Sequence, residues 1–96
     1  MLTTVANLTA DDDDLDGEAI RVRQLVAHNL RLARKMLGLS QEALAEQMGI
    51  DVTSVSRWEN GRRRPEARSM ALLARHLKQP LPFFVDAHPD LDELYR

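Results

Sequence analysis

The sequence predicts an all-α fold of four or five short helices, and three observations carry that expectation. Apolar residues recur at spacings of three and four along the middle of the chain, the period of a helix with one buried face. Gly38, Gly49, Gly61, Pro65 and Pro80 then cut this periodic region into pieces of ordinary helix length. No segment shows the two-residue alternation of a half-buried strand, and no internal repeat is visible.

Taken in order, residues 1–17 have no helical period, and their aspartate block predicts a solvated, disordered tail. Asp16 and Gly17 are start signals for a first helix that runs to Leu37 without a proline. Val26, Leu30, Ala33 and Leu37 form its expected buried stripe. A weaker stripe of Val22, Leu25, Leu32 and Met36 lies beside it, and it could cover the tail of the chain or a second subunit. Gly38 tolerates the left-handed conformation that ends a helix. Ser40 is placed to cap a second helix, QEALAEQM, with Leu44, Ala45 and Met48 inward and Glu42 and Glu46 outward.

Gly49 stops that helix, and Asp51 caps a third, VTSVSRWEN, which Gly61 ends. Pro65 and Glu66 open a fourth, ARSMALLARHLK, with Met70, Leu73, Ala74 and Leu77 inward. Pro80 and Pro82 break it, and FFV is expected to form one more turn that packs its rings on the core. The segment HPDLDELYR adds a frayed terminal turn with Leu91, Leu94 and Tyr95 on one side. These limits place a compact domain at residues 18–86 and a short extension at 87–96 that could contact a partner or a second copy.

Composition narrows the function classes. Ninety-six residues make one small domain. The absence of cysteine excludes disulfides and thiolate metal sites. With no signal-like N-terminus and no bilayer-length apolar run, the expectation is a cytoplasmic protein without membrane contact. The net charge of −2 conceals a segregation: −6 over residues 1–18, +7 over 19–79 and −3 over 80–96. A basic middle of this kind attracts polyanions that the mean charge would seem to repel.

The basic region centres on SRWENGRRR, residues 56–64. Ser40–Gly61 comprises two short helices joined by the tight turn Gly49-Ile50-Asp51, the layout of a helix-turn-helix. At about 100° per residue, Val55, Trp58 and Glu59 fall on one side of the third helix. Thr53, Arg57 and Asn60 fall on the other, flanked by Ser54 and Ser56. One side is built for packing, the other for hydrogen bonds. Thr53 and Arg57, four residues apart, can reach neighbouring base edges of double-stranded DNA, and the forked guanidinium suits a bidentate contact with guanine. Val52, at the helix tip, suits a thymine methyl. Arg62, Arg63 and Arg64 taken alone could be a solvated loop; their place directly after a candidate recognition helix favours phosphate binding, with Ser56 beside it.

The stretch NLRLARKMLGLSQEALAEQMGIDVTSVSRWENGRRRPEARSMALLARHL resembles the lambda-repressor-like helix-turn-helix family, also called Xre/Cro, over roughly residues 26–85. GLSQEALA, the turn glycine, SVSRWENG and P…LLARHL stand in the family's order and spacing. The resemblance implies a compact five-helix DNA-binding domain whose third helix enters the major groove, usually as a homodimer. By position it implies that Val52, Thr53 and Arg57 contact bases. It further implies that Ser40, Gln41, Asn60 and Arg62 contact the backbone, and that Arg34 and Glu59 form a buried salt bridge between helices one and three. Asp51 and Val52 offer fewer donors than the glutamines of some members. The acidic extension has no counterpart in the motif.

The expected function is therefore a sequence-specific regulator of transcription, acting as a dimeric repressor on an inverted repeat with half-sites about 34 Å apart. The alternative is an antitoxin-type protein that binds a toxin, or an antirepressor, through a terminal segment. An enzyme is the weakest reading, for no nucleophile-and-base set or phosphate-cradling loop is present. No cofactor or metal is expected: the histidines at 28, 76 and 88 lack helical metal-site spacing, and DDDDLD lacks the glycine and distal glutamate of a calcium loop. That aspartate block is either a solvated tail or a DNA mimic that folds back on the basic face.

Overall fold

A computed structural model describes residues 16–96, so of the acidic tail expected over residues 1–17, residues 1–15 lie outside the described residues. Five α-helices follow, α1 (Gly17–Met36), α2 (Gln41–Met48), α3 (Val52–Glu59), α4 (Ala67–Leu77) and α5 (Pro89–Leu94), with a 3-10 turn at Leu81–Val85 between the last two. There is no strand among the described residues.

The helix starts are those that side-chain oxygens can cap. Asp16 accepts from the Ala19 amide at 2.8 Å, Ser40 from Ala43 at 3.0 Å and Asp51 from Thr53 at 3.3 Å, each satisfying an amide that has no partner inside its own helix. The helix ends rely on left-handed residues. Gly49, at φ 67°, lets the chain leave α2 and enter α3 after only two further residues. α4 ends less comfortably, with Lys78 as its cap at φ 60°. Lys78→Gly is expected to stabilise the domain by up to about 1 kcal/mol, since glycine occupies this region without a Cβ clash. Urea denaturation of the two proteins would check it.

α2 and α3 pack directly on each other, α1 crosses α3 and the 3-10 turn, and α4 closes the opposite side against α2. Between them lie Leu30, Leu44, Val55, Leu73, Leu77 and Phe84, all essentially without solvent exposure. Trp58 and Phe83 complete the same cluster, and Phe83 meets Phe84 edge-on with centroids 5.3 Å apart.

Two sequence expectations are corrected here. Leu37 is not in the buried stripe. It caps α1 after the helix has ended and is 38% exposed, and Leu39, beyond the Gly38 turn, packs on the core instead. Leu94 does not share a buried side with Leu91: it is 72% exposed, while Leu91 alone packs on the core. Of the second stripe of α1, Leu32 borders the α5 segment, whereas Val22 lines a separate cleft with Met70 and Val85. His28 Nε2 meets Asp92 Oδ1 at 2.7 Å, and the two helices enclose a cleft lined by Leu32, Tyr95 and Arg96.

One buried polar residue holds the C-terminal half in place. Asn29 is fully buried, and its amide nitrogen donates to the carbonyls of Phe83, Phe84 and Asp86 at 3.2, 3.0 and 2.8 Å. The first two carbonyls belong to the 3-10 turn and the third to Asp86, which ends it, where such a turn leaves its last acceptors open. Asn29→Ala would strand them in the interior and is expected to cost about 1–3 kcal/mol. Thermal melting should show the loss.

Candidate nucleic-acid interface

The candidate interface is built on α3, and its orientation depends on one carboxylate. Glu59 is the last residue of α3 and only 2% exposed. Arg34 of α1 grips it with both edges of the guanidinium, Nε to Oε2 at 2.6 Å and Nη2 to Oε1 at 2.7 Å. The remaining Arg34 nitrogen donates to the Leu39 carbonyl at 2.8 Å, and Gln41 Nε2 donates to Glu59 Oε1 at 3.0 Å. One side chain thus joins α1, the start of α2 and the end of α3. The hydrogen bonds that Arg34 donates to Glu59 raise its pKa above the ordinary value, against the opposing effect of burial. Arg31 adds a donor to the Glu59 carbonyl, capping the negative end of α3.

Held from behind in this way, α3 turns Thr53 and Arg57 outward, both exposed and one helical turn apart. Val55 and Trp58 occupy the opposite side and are buried. Val52 is shared between the two roles: it is half-buried and packs on the core, so only part of its surface is open. Ser56 is half-buried on the flank.

The chain beyond α3 turns back at Gly61, whose φ is 76°. Asn60 Oδ1 accepts from the Arg62 amide at 3.1 Å and braces that turn. Arg62, Arg63 and Arg64 all follow as exposed side chains. Arg63 and Arg64 border one shallow cleft with Ser54, Arg57, Glu66 and Ser69. Behind the loop, Arg23 of α1 donates to the Arg62 carbonyl at 2.7 Å.

Of the residues singled out in the sequence, Arg57, Arg63 and Arg64 therefore border one cleft and are open to solvent, with Thr53 exposed one helical turn before Arg57. Ser40 is exposed at the start of α2, with its hydroxyl engaged in the helix cap. Gln41 is drawn inward by its bond to Glu59. Arg23, Arg31 and Asn29 were not singled out. For two of them the spacing carries the signal: Asn29 lies three residues after Val26 and four before Ala33, and Arg23 three before Val26, both on the inner side of α1.

Two short helices meeting at a tight glycine turn, with the second presenting a polar face beside a basic loop, define a helix-turn-helix protein. The helix-turn-helix family model matches residues 30–84. The chain belongs to this family, in its lambda-repressor-like (Xre) form. It is 36% identical over 64 residues to an uncharacterized HTH-type transcriptional regulator of Sinorhizobium medicae, and equally to one of Rhizobium meliloti. Each match covers 67% of this chain and 46% of the relative, so the chain spans about half the length of the curated relatives it matches. Among solved structures it is similar to a hypothetical transcription factor, NHTF, from Neisseria. The TM-score is 0.67 at 32% identity, covering 76% of this chain and 84% of that one. Among the described residues no helix is long and apolar enough to cross a membrane.

Proposed function

We propose that this protein regulates transcription by binding double-stranded DNA in a sequence-specific manner, as a dimeric repressor on an inverted-repeat operator. The observation that carries this reading is the shared cleft of Arg57, Arg63 and Arg64. It sets a base-reading candidate beside two phosphate-binding candidates on a helix braced from behind. In this reading Thr53, Arg57 and the open part of Val52 face base edges in the major groove. Ser40, Ser56, Asn60 and Arg62–Arg64 hold the sugar-phosphate backbone, and Gln41 contributes by fixing the start of α2 against α3. The relatives' names as transcriptional regulators support the same reading.

A dimer supplies the contacts that one eight-residue helix lacks. We assign to it the two exposed apolar side chains of the 3-10 turn, Leu81 and Val85, each 51% exposed. The double variant L81D/V85D is expected to elute as a monomer where the parent elutes as a dimer, with light scattering as the readout. The function itself is tested by selecting binding sites from a random duplex pool at physiological salt. An enriched inverted repeat upholds the proposal. Binding without enrichment, fading as salt rises, would reduce the protein to a phosphate-holding module.

A further inference from the structure

Between α1 and the α5 segment lies a cleft of about 230 Å³ that the function proposed above does not use. Its α1 wall carries Arg31 and Lys35, one helical turn apart and so on one face of the helix. Neither has a carboxylate partner among the described residues. Arg31 is half-buried, and its one hydrogen bond goes to the Glu59 carbonyl, a neutral acceptor; Lys35 makes none. The acids nearby are engaged elsewhere: Asp92 meets His28, Glu93 meets Arg96, and the Glu59 carboxylate is held by Arg34 and Gln41. Arg31, Lys35 and Arg96 thus border one concave space in which Asp92 is the single carboxylate.

The same space has an apolar wall. Leu32, only 5% exposed, and the half-open ring of Tyr95 both line it. A forked guanidinium, an ammonium one turn away and an aromatic surface together suit a small organic anion. Its carboxylate can take paired bonds from Arg31 and a point charge from Lys35, while a flat apolar body covers Leu32 and stacks on Tyr95. The volume lies below the roughly 300 Å³ at which drug-sized pockets begin, so the ligand is smaller than a nucleotide. A backbone phosphate of a duplex fits less well, because it would leave Leu32 and Tyr95 uncovered and would lose water against an apolar wall.

We propose that this cleft binds a small aromatic carboxylate, and that its occupancy weakens operator binding through Arg31. The binding rests on the cleft alone; the effect on DNA rests on the reading of α3 as the helix that contacts DNA. Arg31 caps the negative end of α3 at the Glu59 carbonyl. An anion in the cleft competes for that guanidinium with a full charge against a carbonyl dipole. α3 then loses a brace at the residue on which the position of Arg57 depends. By linkage, operator DNA weakens the anion by the same factor.

The first arm of the test titrates the free full-length protein with benzoate at constant ionic strength, followed by NMR. The resonances of Arg31, Leu32, Lys35 and Tyr95 are expected to shift together and to saturate in the millimolar range, as a ligand of that size allows. Acetate, which lacks the apolar body, and benzyl alcohol, which lacks the charge, should each bind about tenfold more weakly or worse. Lys35 is exposed and unbonded, so Lys35→Gln should weaken benzoate about tenfold with an unchanged melting curve. No saturable shift, equal binding of the three probes, or full benzoate affinity in Lys35→Gln would each overturn the site. So would a random-duplex salt slope lowered by about one in Lys35→Gln, which would assign the pair to the DNA backbone instead. In the second arm, saturating benzoate is expected to weaken the parent's selected operator several-fold, and Lys35→Gln should respond only at correspondingly higher benzoate. Operator affinity unchanged with benzoate bound would overturn the coupling and not the site. A protein that selects no operator would overturn the coupling together with the reading of α3, and the first arm decides the site in either case.

Discussion

Glu59→Ala is expected to remove about 3–5 kcal/mol of stability, a large share of the 5–15 kcal/mol available to a small domain. The carboxylate takes three hydrogen bonds from side chains of two other segments, and its loss leaves the Arg34 guanidinium largely enclosed and unpaired. The cost is the stranded charge more than the missing bond. For that reason the double variant R34M/E59L, which removes both charges and restores volume, should be considerably more stable than Glu59→Ala alone. Urea denaturation followed by circular dichroism would compare the three proteins. A single variant as stable as the parent would show that α3 is held by its apolar face alone.

Arg57→Ala is expected to act at the other end of the same helix, and on binding rather than stability. Its side chain is exposed and makes no hydrogen bond within the described structure. Its removal should leave the melting curve unchanged. A bidentate contact with one base pair contributes roughly 1–3 kcal/mol of discrimination, so the selected operator should bind about 10- to 100-fold more weakly. Random duplex should be affected far less. Arg57→Lys should fail similarly, because a point-charge ammonium keeps the attraction to phosphate and loses the fork. Arg63→Ala provides the contrast: a uniform weakening on all sequences, with the salt slope reduced by about one. If Arg57→Ala and Arg63→Ala behaved alike, α3 would be holding the backbone and not reading it.

The two variants divide the helix as the fold does. Glu59 and Trp58 face inward, where position is set by α1 and the core. Thr53 and Arg57 face outward, where position is inherited from that bracing. Any displacement of Glu59 therefore moves Arg57 as well, and Glu59→Ala should weaken specific binding even at temperatures where the variant remains folded.

Much of this was legible in the sequence because it is local. Ser40 and Asp51 cap the helices that follow them, and Gly49 and Gly61 occupy the left-handed turns, through contacts among residues two to five apart. The inward side of α3 followed from angle alone, and the Arg34–Glu59 partnership from the resemblance that the motif carries. The period of α1 holds through Ala33, but the helix ends before Leu37 can turn inward. Leu39 took its place on the core because the Gly38 turn redirects the chain, a change of direction that helical spacing does not contain.

The polar framework was decided by the tertiary structure. Asn29 reaches carbonyls more than fifty residues away, Arg23 reaches Arg62, and Arg31 reaches the end of α3. Gln41, which resembled a backbone contact by position, is held by the Glu59 carboxylate, a partner eighteen residues further on. Such bonds go to main-chain or side-chain oxygens whose positions exist only once the helices have packed. A polar residue on an apolar stripe announces that it needs a partner, but the fold alone selects which one. The sequence by itself thus determined the helices, their caps and the outward face of α3. Packing determined which buried groups hold that face in place, because burial leaves each of them the choice of a distant partner or a stranded charge.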